Sequence, residues 1–393
     1  MVAYGYILII GIKHMLPPDI EILLLNDYYR KDKICLCGSN KQKKSFLDCC
    51  FRKNLTFKEF YYNYLLHYKK PQEYFTLCAE NFVYSGICSN QPINSHSISK
   101  SKYLKEISIS NLVVGFKPKQ FNKDSHIYKL IPISINNAST FKGCCLEHDS
   151  FYSKIDANFN PEDYRDYLLL AKRQYLYEYS SQFQKERRLE TFLFSCKIRD
   201  NLLNYLISNR IIFDSIYRDY KTYLTIYDAV ISFKESTRNF SCYALEFNKI
   251  IPFSFSTIYS PLRTLNGIKL DNPSTTDFCK SIFYSLFTVN NRSYLIFTVL
   301  KIDHTSQKFI KEIINDKKNI SKNLLKLSVI TSNTYYNESF IKENDLQSRL
   351  ECLYGLDLEL YMKDDYAGRS LLLEEYLYNY DDSLSYNIIY PRQ

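Results

Sequence analysis

Apolar and polar positions along the chain change period twice, and those changes divide it. From Thr56 to Tyr68, Phe57, Phe60, Tyr61, Tyr64 and Leu65 recur at helical spacing, and Pro71 ends the run. A short helix is expected over Ser101–Ile107, then extended runs at Leu112–Phe116 and Tyr128–Ile133. Asn160-Pro161-Glu162-Asp163 combines an N-cap residue, a proline at the first helical position and acids in the first turn, so a helix is predicted to start there. Its apolar stripe is Leu168, Leu169, Ala171, Tyr175, Leu176 and Tyr179, and a second helix from about Leu189 to Tyr223 is expected to pack back on it as a hairpin. From about Thr225 the runs become β-branched and aromatic: Tyr227–Phe233, Ser241–Phe247, Phe283–Val289, Ser293–Ile302 and Leu325–Ile330. Val289-Asn290-Asn291-Arg292 reads as a hairpin turn, and Gln307–Lys317 as a helix.

The pattern predicts an α+β protein in four parts. These are an N-terminal region over 1–70, a cysteine-bearing module over 71–160, a helical hairpin over 161–223 and a mainly antiparallel β region over 224–393. No internal repeat or low-complexity linker interrupts them.

Composition changes this picture little. A 393-residue chain with 46% hydrophobic and 24% charged residues can bury a sizeable core and does not have a disordered composition. The 37 Tyr and 26 Phe, set against no Trp and 9 Gly, are what an AT-rich coding sequence would produce. A net charge of +9 suits nucleic acid, a membrane surface or plain solubility. The apolar run Val2–Ile12 is too short to span a bilayer and has neither a basic flank nor a cleavage site, and Met15 is an alternative start. The expected location is therefore the cytoplasm, where the 12 cysteines would be thiols or metal ligands instead of disulfides. A phosphate-cradling glycine loop and a serine-hydrolase elbow are both missing.

The cysteines fall into two sets. Cys35, Cys37, Cys49 and Cys50 are two close thiol pairs around a short basic loop, with Gly38 allowing a tight turn, and can close a tetrahedral zinc site. Cys145 and His148 have the spacing of a zinc half-site, and Cys78 with Cys88 would supply the other half. The basic stretches Lys41–Lys44, Lys117–Lys123 and Lys185–Arg188 are interleaved with aromatics, as in a surface that tracks phosphates, or are plain solvated faces.

The first set resembles the SEC-C zinc motif, with a loop about three residues longer. The second resembles the outline of HNH, or ββα-metal, nucleases that also carry a structural zinc. On that resemblance His96 stands where the general base would be, and Asp149 where a ligand to a catalytic Mg²⁺ or Mn²⁺ would be. Ser95 replaces an expected ligand, and Asp156 or Glu178 would fill the gap. For His96 the other reading is a buried hydrogen-bonding residue; for Asp149 it is the N-cap of a helix beginning at Ser150. The chain also resembles a group of uncharacterised bacterial proteins through Ser95-His96-Ser97-Ile98, the element from Ala138 to Asp156 with Cys144 in place of Phe, Arg173 with Glu178, and Ser332-Asn333-Thr334-Tyr335-Tyr336. That group implies no established activity. Arg173 and Glu178 lie five apart, too far round one helix to pair well, so each is expected to form an interhelical salt bridge or to meet the zinc module. The resemblances imply an HNH-like endonuclease acting on DNA or RNA, with a role in toxicity or defence, or else a non-catalytic zinc protein that binds nucleic acid or a protein partner.

Overall fold

The computed structural model describes Cys78, Cys88, residues 90–122, 125–195, 239–259 and 281–362 except 332, with parts of 261–270 and 381–389. The Cys35/Cys37/Cys49/Cys50 knuckle, the helix expected over Thr56–Tyr68, the strand over Tyr227–Phe233 and most of the second helix lie outside these residues. Contacts divide the chain into two units, Met1–Thr76 with Ser180–Leu224, and Leu77–Tyr179 with Thr225–Gln393. The second unit holds His96, Asp149 and every described strand.

This unit is α+β. Its described strands are β1 (Asn94–His96), β2 (Leu112–Asn122), β3 (Ser125–Ser134), β4 (Thr140–Lys142), β5 (Phe240–Phe247), β6 (Phe253–Tyr259), β7 (Ile282–Val289), β8 (Arg292–Leu300), β9 (Thr334–Tyr336) and β10 (Tyr386–Ile389). Strands β1 and β4 form a two-stranded sheet of their own, and the other eight make one sheet in the order β10-β5-β8-β7-β6-β9-β2-β3. Every ladder is antiparallel. The segments expected as separate domains, 71–160 and 224–393, thus contribute strands to one sheet. The link is β9, which pairs with β6 on one side and β2 on the other.

The turn between β7 and β8 follows from its residues. Asn290 and Asn291 have φ of 51° and 60°, the left-handed pair that a two-residue hairpin of this twist requires, and Asn tolerates it better than most residues. β7 is buried on both faces, and the alternation of its side chains sends Tyr284 and Leu286 to one side and Ser285 and Phe287 to the other.

The first side packs Leu245, Phe247, Phe255, Leu295, Phe297 and Val299 against α-helices from the C-terminal region. Among these helices is one at His304–Asn315, whose Asp303 cap accepts the Ser306 N–H at 2.9 Å and whose Phe309, Ile310, Ile313 and Ile314 are buried. Another is at Ile320–Ile330, where a strand over Leu325–Ile330 was expected. The reason is burial: Leu324, Leu325, Leu327 and Val329 are buried alongside Asn323, Lys326 and Ser328, so no polar face marks a helical period.

On the other side lie a π-helical turn at Lys100–Leu104, continued as α1 (Lys105–Ile107), and the longest helix among the described residues. Tyr103 stacks on Phe287 with ring centroids 4.2 Å apart, and Phe159 meets the same ring edge-on. The chain then forms α2 (Leu146–Ser150), α3 (Ser153–Asn158) and α4 (Tyr164–Ser195). Two expectations are corrected here. Helix α4 starts at Tyr164, not at Pro161, because Asn160 and Asp163 each make a tight local turn, accepting the N–H groups of Glu162 and Arg165. It then runs through Leu189 without the expected break, since no Gly or Pro occurs between 180 and 195. Among the described residues no helix is long and apolar enough to cross a membrane.

Candidate functional site

The site is built where β4 leads into α2. The ladder pairs Asn94 with Lys142, Ser95 with Phe141 and His96 with Thr140, and the Ile93 N–H donates to the Cys144 carbonyl at 2.7 Å. Phe141 folds its ring over Gly143 so closely that a Cβ at Gly143 would lie 2.3 Å from it. This puts Cys145 at the N-cap of α2, with φ −77° and ψ 170°.

Four side chains of the second cysteine set converge there. The ligand atoms of Cys78, Cys88, Cys145 and His148 all lie within 4.8 Å of one another. Cys88 Sγ is 3.7 Å from Cys145 Sγ, and His148 Nδ1 is 3.3 Å from the sulfurs of both Cys78 and Cys145. A disulfide needs about 2.05 Å between sulfurs. Tetrahedral zinc, with bonds of about 2.3 Å to sulfur and about 2.0 Å to nitrogen, gives edges of roughly 3.8 Å between sulfurs and roughly 3.5 Å between sulfur and nitrogen. The cluster therefore has the size and donor chemistry to hold a metal ion such as zinc, joining a segment near residue 80 to the helix at 146.

Second contacts orient the donors. The Cys145 N–H donates to Cys78 Sγ at 3.3 Å, and Asn90 Nδ2 reaches Cys145 Sγ and the Glu147 carboxylate. Burial alone would raise the Cys145 thiol, but hydrogen bonds from the backbone N–H groups of His148 and Glu147 and the thiols of Cys88 and Cys78 outweigh it and lower it overall. Cys144 is fully buried and outside the cluster.

His96 ends β1, half-buried. Its Nδ1 lies 2.9 Å from the Ala138 carbonyl oxygen, which can only accept. The proton is thereby placed on Nδ1, and Nε2 is left with its lone pair. Burial holds the imidazole below its ordinary pKa; the Ala138 carbonyl and the charge of Asp149 act the other way, and Lys100 and Arg173 add to the lowering. His96 is thus a neutral imidazole at pH 7, with its proton on Nδ1.

Asp149 lies in the last turn of α2, half-buried and within electrostatic reach of His96. The expectation that it caps a helix starting at Ser150 is corrected, because α2 is capped by Cys145 and α3 begins only at Ser153. Asp156 does not face this position as a free carboxylate: it takes Arg173 Nη1 and Nη2 at 2.7 and 3.0 Å. Of the two alternatives for Arg173, both apply, since this is an interhelical ion pair that also meets the module; the guanidinium lies 4.6 Å above the Tyr152 ring. Glu178 is half-buried on the same helix, and Arg173 takes Asp156, not Glu178, as its carboxylate partner. Ser95 is buried, and its hydroxyl makes no hydrogen bond among the described residues.

Sequence reasoning missed the residues beneath His96. Ser139, at φ 55°, accepts the Ile98 N–H on Oγ and donates back to the Ile98 carbonyl, while its own carbonyl accepts the Ser97 N–H at 3.0 Å. Asn333 Nδ2 donates to Ser97 Oγ at 2.8 Å and to the Ser256 carbonyl at 2.9 Å. Tyr335 Oη accepts the Ser139 N–H at 2.6 Å, and burial pushes this hydroxyl up to about 12, so it stays protonated. Gln174 of α4 donates to Ser285 of β7, which donates to Ser256. Ser97, Ser139, Asn333 and Tyr335 fall within the Ser95–Ile98, Ala138–Asp156 and Ser332–Tyr336 elements, but the contacts from Tyr335 to Ser139 and from Asn333 to Ser97 span 196 and 236 residues and leave no local pattern. No family model matches the chain, and neither a curated protein nor a solved structure matches it.

Proposed function

We propose that this protein is a metal-dependent nuclease of HNH-like type, with a structural zinc held by Cys78, Cys88, Cys145 and His148. The observation that carries the reading is the His96 imidazole, fixed by Ala138 with Nε2 unprotonated, on a two-stranded ladder leading into the helix that bears His148 and Asp149. His96 would take a proton from the attacking water as it adds to a phosphodiester phosphorus, and the displaced ester oxygen would leave with a proton from solvent. A Mg²⁺ or Mn²⁺ ion at Asp149 would supply charge stabilisation of the phosphate. Lys100, an exposed cation that acts on His96, favours the approach of a polyanion.

The second reading is a zinc-stabilised protein that binds nucleic acid or a protein without turnover. One observation favours it: Asp156 is committed to Arg173 and Ser95 is buried, which leaves Asp149 and Glu178 of the expected hard ligands. Incubation with plasmid DNA and with RNA, each with Mg²⁺ or Mn²⁺, separates the two. Metal-dependent cleavage supports the nuclease. Salt-sensitive binding without any cleavage removes it.

A further inference from the structure

The Ala138–Ser139 peptide unit is held at both ends. Its carbonyl oxygen fixes His96 Nδ1 at 2.9 Å, and its N–H donates to Tyr335 Oη at 2.6 Å. We propose that Tyr335 is a positioning residue for His96, acting through this one peptide plane. The inference rests on the reading of His96 as the base.

Four observations carry it. The peptide plane leads into a residue at φ 55°, a conformation that is sparse for serine and is kept only where its surroundings impose it. The donor and acceptor of one amide polarise each other, so the hydroxyl strengthens the carbonyl that holds the imidazole. Tyr335 is set by the large sheet, not by the ladder it serves: β9 pairs it with Ser254 on one side and Gly115 on the other. Its ring crosses Gly115 closely enough that a Cβ there would lie 3.1 Å from Tyr335 Cδ1. Glycine at 115 thus clears the path by which the hydroxyl reaches the Ser139 N–H. Asn333, two residues earlier and just before β9, makes the parallel contact to Ser97, so this segment supports both sides of the His96 turn.

The neighbouring tyrosine is a built-in control. Tyr336 points to the opposite face, is fully buried where Tyr335 is partly so, and donates its hydroxyl to Ser328 Oγ at 2.9 Å. Tyr335→Phe and Tyr336→Phe each remove one buried hydroxyl from the same strand, and only the first touches the His96 peptide.

The test uses the zinc-loaded full chain labelled with ¹⁵N-histidine, the His96 signals being assigned by their loss in His96→Gln. Wild type is expected to show a single tautomer with the proton on Nδ1. Tyr335→Phe is expected to move these signals toward a tautomer mixture and to lower kcat roughly ten- to a hundred-fold at nearly unchanged KM; Tyr336→Phe should change neither. Gly115→Ala, which crowds the ring and keeps the hydroxyl, should give a smaller change in the same direction and serves if Tyr335→Phe does not fold. Unaltered His96 signals in Tyr335→Phe, or equal changes in both phenylalanine variants, would overturn the proposal. If wild type cuts nothing, the nuclease reading falls while the signals still decide the positioning.

Discussion

The Arg173 guanidinium donates from both of its terminal nitrogens to the Asp156 carboxylate and sits over the Tyr152 ring, 4.6 Å from its centroid, so one residue of α4 fixes the helix after the Cys/His cluster. The Arg173 side chain is 4% exposed and that of Asp156 29%. Deleting the carboxylate strands a buried cation, whereas deleting the cation leaves an acid that can reach water. Asp156→Ala is expected to destabilise by about 3 kcal/mol, the usual cost of orphaning a buried charge. Adding Arg173→Met removes the orphan and should recover more than half of that. Thermal midpoints of the two variants check this; a double variant no more stable than Asp156→Ala contradicts it.

Gly143→Ala puts a methyl group into the Phe141 ring at 2.3 Å, and that ring in turn packs edge-on against Tyr177 at 5.5 Å. The expected cost is about 1–3 kcal/mol, as for other overpacked sites. Because Gly143 precedes Cys145 by two residues, weaker metal retention should accompany the lower thermal midpoint. Unchanged stability and metal content would show that the ring has room to move.

Burial lowers the pKa of folded His96 below the unfolded value near 6.5. The unfolded chain therefore binds more protons in the interval between the two, and stability rises with pH there. The contribution is complete above about pH 6.5 and is lost as pH falls toward the folded pKa. The acid limb of kcat/KM should accordingly lie below pH 6.5. Comparing pH-dependent stability of wild type and His96→Gln, both zinc-loaded, isolates the effect; parallel curves would exclude it.

Stripping an ion held by the Cys78/Cys88/Cys145/His148 cluster would leave thiols crowded to 3.7 Å and release a tie across 57 to 70 residues of sequence. Chelation is expected to lower the thermal midpoint, and Cys88→Ser to lose one equivalent of zinc relative to wild type. Retention of every equivalent by Cys88→Ser would place the metal elsewhere.

These predictions differ in how much of their basis was legible in the sequence. The Cys145/His148 half-site was legible because its spacing is local, and the β7–β8 hairpin because Asn-Asn marks a left-handed turn. The helix at Ile320–Ile330 was not, since burial on all sides erased its period. The start of α4 was misplaced because Asp166 folds back to accept the Asn160 N–H at 2.9 Å, holding residues 160–163 out of the helix. Tyr335 was legible only as one residue of the Ser332–Tyr336 element, with nothing to single it out among 37 tyrosines, and its contact with Ser139 emerges only with β9 set beside the His96 turn.

The most direct test is cleavage of nucleic acid by wild type and by His96→Ala, with zinc measured on the same samples. Wild type is expected to cut with Mg²⁺ or Mn²⁺ and His96→Ala not to cut, the two proteins being equal in zinc. Undiminished cutting by His96→Ala, or no cutting by fully zinc-loaded wild type, would contradict that expectation.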